Sequence, residues 1–156
     1  KRKKGYKLSQ NREVLNEYSL LNNLCVPVAL TYINNFFGGN TGPEFYIREY
    51  NAIPGKENES VFENGFTITI PQLTLFVNNY FYTTDFISYI NAIDSGYLVM
   101  APIYGGDGVL HNIVIVGYYP DGTLIYMDPM STSLKEGGEN IIKGNYVYVV
   151  TGNKDK

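Results

Sequence analysis

The chain reads as a single α+β domain, with N-terminal helices packed on a C-terminal antiparallel sheet. Three observations predict this. Helix-period apolar patterns fill the first half, β-branched and aromatic runs joined by turn signals fill the second, and 156 residues suit one domain over 1–156.

The opening Lys1-Arg2-Lys3-Lys4 reads as a solvated basic tail or linker end over residues 1–5, and an acidic partner is the sharper alternative. Val14, Leu15, Tyr18 and Leu21 have helical spacing, interrupted by Asn22-Asn23. From Val26 the residues Val28, Ala29, Tyr32, Ile33, Phe36 and Phe37 recur at threes and fours. Pro27 suits the first turn of that helix and Gly38-Gly39-Asn40 ends it. A weaker helix spans Pro43 to Tyr50, and residues 51–65 read as a polar, Gly-rich loop. Leu73, Phe76 and Val77 mark a helix over Pro71 to Tyr80. Thr84 or Asp85 caps a further short helix holding Phe86, Ile87, Ile90 and Ile93, stopped at Gly96.

Strands follow. Tyr97 to Ile103 is a short apolar run, and Gly105-Gly106-Asp107-Gly108 reads as a mobile loop flanking a cleft. The run LHNIVIVGYY over 110–119, the Pro120-Asp121-Gly122 turn and the return from Thr123 to Met127 make a hairpin. Asn145 to Val150 is the last strand.

Composition narrows the function. Hydrophobic residues at 44% and charged residues at 17% describe an ordinary globular chain. One Cys excludes an internal disulfide, and one Cys with one His excludes the usual zinc sets, so no metal and no cofactor is expected. A net charge of −3 argues against a nucleic-acid partner, and no apolar run is long enough for a membrane span.

Three residues carry candidate chemistry. Cys25 begins the helix after an Asn-Asn turn, where partial positive charge and free N–H groups stabilise a thiolate. A buried structural Cys is the bland alternative. His111, the sole imidazole, begins a strand after the Gly-rich loop and suits acid–base work near neutral pH. Asp128 ends the strand that pairs with the His111 strand, so residues near 111–116 face 128–130, and its carboxylate can orient the imidazole. An Asp-Pro turn starter is its alternative reading.

These segments resemble a family. NNLCVPVALTYINNFFGG is similar to the catalytic helix of papain-fold cysteine peptidases, most of all the double-glycine leader (bacteriocin-processing) peptidases. FISYINAIDSGYLVMAPIYGG and HNIVIVGYYPDGTLIYMDP are similar to the elements that bring their His and Asp, in the same order, over about Tyr6 to Val150. The resemblance implies a papain-like fold with Cys25 as nucleophile, His111 as base and acid, and Asp128 as orienting carboxylate. It also implies an upstream Gln that donates to the oxyanion. Ser19 stands at the usual position, so Gln10, Asn22 and Asn23 are the candidate amides, and Val26 replaces the usual Gly after the nucleophile.

The expected function is thiol-dependent hydrolysis of a peptide or amide bond, with a peptide or protein as partner. The alternatives are a toxin or effector domain acting as a glutamine deamidase, and a papain-like domain that binds peptides without turnover. The basic start is compatible with a domain released from a larger secreted protein or delivered by a secretion system, where the thiol must stay reduced.

Overall fold

The computed structural model describes residues 3–18, 23–104, 110–144 and 146–154. The expectations placed on Lys1-Arg2, Ser19, Leu21, Asn22, the Gly105–Gly108 loop and Asn145 lie outside them.

Helix α1 (Cys25–Phe36) has Pro27 in its first turn, where no intrahelical N–H is required. Residues 26–33 are all buried, so this helix is enclosed on nearly every side rather than amphipathic. It packs on α2 (Pro43–Asn51) and on the sheet. Helix α4 (Ile70–Tyr80) is started by a capping box between Thr69 and Gln72.

The sheet is antiparallel, in the order β2 (Phe81–Thr84), β7 (Tyr148–Asn153), β3 (Leu98–Tyr104), β4 (Leu110–Tyr118), β5 (Leu124–Met127), β6 (Lys135–Gly137). The short β1 (Lys7–Leu8) pairs with the far end of β4. Successive residues of the central strands face opposite layers. Leu98, Met100, Val114, Val116, Ile125 and Met127 join the α1 core. Val99, Ile103, Ile113, Ile115, Leu124 and Tyr126 join a second core under α5 (Tyr89–Asp94). Both faces being covered is why the β4 run is apolar without alternation.

The β4–β5 hairpin turns as its sequence predicts. Gly122 N–H donates to the Tyr119 carbonyl at 2.9 Å, Thr123 N–H donates to Asp121 Oδ1 at 2.9 Å, and Gly122 sits at φ 92°. Gly117 interrupts the apolar run for a different reason. A Cβ there would collide with the Lys7 carbonyl, so glycine lets β1 reach the strand.

Several expectations are corrected. The helix expected from Val14 is absent over the described residues 14–18, which run irregularly along α1. Asn16 accounts for this: its Oδ1 accepts from Tyr18 N–H at 3.0 Å and its Nδ2 donates to the carbonyls of Pro129 and Ser131, at 3.3 and 3.1 Å. A side chain that bonds backbone in this way competes with helix. The loop expected over 51–65 contains a one-turn helix, α3 (Val61–Asn64), capped by Ser60. The short helix before Gly96 is capped by Ser88, not Thr84 or Asp85, because residues 81–84 are taken by β2.

Candidate active site

Cys25 opens α1, and His111 is the second residue of β4. Ile103 on β3 pairs with His111, which puts the imidazole at the end of the sheet rather than within it. Asp128 follows β5 directly. Val114 pairs with Met127, so Asp128 is a near neighbour of His111 across the hairpin, and the observed contact is 2.7 Å from His111 Nε2 to Asp128 Oδ1. That bond occupies Nε2 and leaves Nδ1 as the ring nitrogen free to serve a thiol.

Asp128 also starts a turn. Its Oδ1 accepts from Met130 N–H at 2.9 Å, and its carbonyl accepts from Ser131 N–H at 2.8 Å. The Asn16 amide ties down this same turn through Pro129 and Ser131. Lys135 on β6 lies 3.3 Å from Asp128 Oδ2. The carboxylate is thus fixed by a turn, an imidazole and an ammonium together.

The electrostatics follow. Burial pushes the His111 imidazole down, but hydrogen bonds to Asp128 and Cys25, and the charges of both, outweigh it and hold the ring up at about 9. Burial pushes Asp128 up. The His111 hydrogen bond, the Met130 N–H and the charges of His111 and Lys135 outweigh that and hold it at about 2. Cys25 and Asp128 therefore both act on the imidazole.

Cys25, His111 and Asp128 all line one cleft of about 850 Å³. One wall comes from the helical half, with Val26, Phe66, Ile68 and Leu73; the other comes from the sheet, with Ile103, Tyr104 and Leu110. Its size is that of a ligand-binding cleft.

Of the three amides expected at an oxyanion, the structure separates the two that are described, Gln10 and Asn23. Gln10 lies in a 3-10 turn at Ser9–Asn11 and donates from Nε2 to the Gly96 carbonyl at 3.1 Å. Gly96 precedes β3, whereas His111 pairs near its far end. At about 3.3 Å per residue the two ends are roughly 20 Å apart, so Gln10 is corrected from site residue to a brace of the α5–β3 turn. Asn23 does line the cleft, with φ 73°. Its Nδ2 donates to the carbonyls of Glu63 and Phe62, at 2.8 and 3.5 Å, which anchors the chain before α1 to α3.

Sequence reasoning missed Lys135, Asn112 and Tyr146, which also line the cleft. Asn112 carried a signal: it is the polar residue on a strand face otherwise filled by Val114 and Val116.

A family model described as the Peptidase_C39 like family matches residues 7–153. No curated protein and no solved structure matches the chain.

Proposed function

The chain belongs to the Peptidase_C39 like family of papain-like cysteine peptidases, and on that premise we propose that Cys25, His111 and Asp128 form a catalytic triad that hydrolyses a peptide bond. Membership alone makes the chain a cysteine peptidase-type hydrolase. The observation that carries the finer reading is one imidazole acted on by the Cys25 thiol and bonded through Nε2 to a buried carboxylate.

In this mechanism His111 is protonated beside the sulfur, and the charge pair keeps Cys25 as thiolate. The thiolate adds to the carbonyl carbon, and the tetrahedral oxyanion is met by the unsatisfied N–H groups at the start of α1. His111 gives its proton to the leaving amine, and the acyl group remains on sulfur. The imidazole then takes a proton from water, whose oxygen attacks the thioester and releases the acid. Asp128 fixes the ring orientation and offsets its positive charge in both halves.

A deamidase uses the same steps on a side-chain amide, with ammonia as the leaving group. The placement of Gln10 favours a further reading, a peptide-binding domain without turnover, because it removes one expected oxyanion donor. Incubation with a mixed peptide library separates the three. Peptide hydrolysis gives new α-amines without ammonium, and Cys25→Ala gives none. Ammonium release without chain cleavage would replace peptidase by deamidase, and saturable peptide binding without either product would replace both by a binding domain.

A further inference from the structure

Asn112 is the buried polar residue of the cleft that the proposed mechanism does not use. Strand alternation puts it on the α1 face of β4 with Val114 and Val116, and it is only 6% exposed. Its Oδ1 receives a long contact of 3.5 Å from the Tyr146 hydroxyl, beyond the range of a good O–H···O bond. Its Nδ2 has no partner among the described residues. Nor is that nitrogen walled in, because Asn35 Oδ1 is the sole fully enclosed, partnerless side-chain atom among the described residues. The amide N–H groups therefore open onto the cleft that Asn112 lines. Turning the amide end for end leaves the same result, one end at Tyr146 and the other free.

At 6% exposure the amide gives up most of its hydration with little protein bonding in return, and Leu would fill a similar volume without that cost. Packing gives no reason for Asn here; a bound polar group does. The position is next to the chemistry. Asn112 lines the same cleft as Cys25 and His111, and the charge of Cys25 acts on the Tyr146 phenol. The charges close by, Lys135 and Asp128, are paired with each other, and Asp128 also with His111. A charged side chain entering beside Asn112 would find no free counter-ion among these, so the match is a neutral hydrogen-bonding group. The same cleft is also lined by Val26, Ile103 and Leu110, which suit methylenes.

We propose that Asn112 and Tyr146 form a polar subsite beside Cys25 that takes the carboxamide side chain of a substrate Gln or Asn flanking the scissile bond. The inference rests on the hydrolase reading for its orientation in the cleft. A carboxamide satisfies both groups: its carbonyl accepts from the Asn112 N–H, and its N–H donates to the Tyr146 oxygen. A hydroxyl is too short to reach both, and a hydrocarbon reaches neither. Sites built to hydrogen-bond a side chain discriminate strongly against isosteres that cannot.

The test uses peptidyl vinyl sulfones that alkylate Cys25, with Gln or its near-isostere norleucine at each of several positions beside the electrophile. Labelling rates are followed by mass spectrometry in the parent, Asn112→Leu and Tyr146→Phe. At one position the parent should label at least about tenfold faster with Gln than with norleucine. Asn112→Leu should abolish or invert that ratio, and Tyr146→Phe, the milder change, should reduce it. Equal rates at every position in the parent, or a Gln preference undiminished in Asn112→Leu, would overturn the proposal. Methyl methanethiosulfonate transfers only a methylthio group to the thiolate and releases methanesulfinate, so it carries no carboxamide and reads the thiol alone. A slow rate with it, independent of His111, counts against the hydrolase reading, while the Gln-to-norleucine ratio within each protein still decides the subsite.

Discussion

Asp128→Asn isolates the charge that sets the state of His111. In the parent, burial is outweighed by hydrogen bonds to Asp128 and Cys25 and by their charges, and the ring is held at about 9. Asn keeps a polar group of the same shape and loses the charge, so burial counts for more. Cys25 still raises the ring, so it should titrate below the parent's value of about 9, towards its ordinary 6.5. A return all the way to 6.5 would correspond to about 3 kcal/mol between the two protonation states. The ring is partly open to the cleft, and screening by water reduces its contribution to stability to about 1–2 kcal/mol. A group raised on folding contributes stability that is fully present below its unfolded value and lost as pH rises through its folded one. His111 thus stabilises the parent fully below 6.5 and ceases to do so above about 9, and Asp128→Asn should show a smaller alkaline loss. Asp128 runs the other way: its contribution is present above 3.8 and lost as pH falls through about 2. His111 is the chain's single histidine, so one imidazole resonance followed by NMR against pH gives the answer without assignment. Denaturant curves at pH 6 and 10 measure the linked stability. A variant ring that still titrates near 9, or a parent ring near 6.5, would refute the assigned electrostatics.

Three further substitutions test the surroundings. Lys135 is 48% exposed at its side chain, so Lys135→Met should lower turnover by about fivefold at most, as expected for a screened pair; a loss near that of Asp128→Asn would make the ammonium a principal partner. Gln10→Ala should leave turnover within about twofold, since Gln10 braces Gly96 at the opposite end of the sheet, and a loss of the 10²–10³ typical of an oxyanion donor would return it to the site. Gly117→Ala should destabilise the domain by about 1–3 kcal/mol in denaturant titrations, because its Cβ forces β1 away from β4; a neutral effect would mean β1 contributes little.

The parts of the molecule legible in sequence are those where local pattern and tertiary burial agree. Pro27 and the apolar spacing after it mark α1, and Pro120-Asp121-Gly122 fixes the hairpin register that brings Asp128 towards His111. The segment from Val14 misled because its helical spacing was real, whereas Asn16 takes the backbone bonds a helix would need and carries them to the turn at Pro129. Strands β1, β2 and β6 are two to four residues long, too short to show a period. Gly117 was the visible trace of β1, a glycine inside an apolar strand that marks another backbone's approach. The polar floor of the cleft was harder to read. Asn112 lies on β4 and Tyr146 just before β7, and their meeting depends on the fold.

The pairing of thiol and imidazole is tested most directly by the alkylation rate of Cys25 with iodoacetamide between pH 5 and 9, in the parent and in His111→Ala. A thiolate held by a protonated imidazole predicts fast labelling at pH 6, on the order of tenfold or more above a free thiol of ordinary pKa near 8.5, falling to the free-thiol rate in His111→Ala. Parent labelling that follows the free-thiol curve, unchanged by His111→Ala, would contradict it.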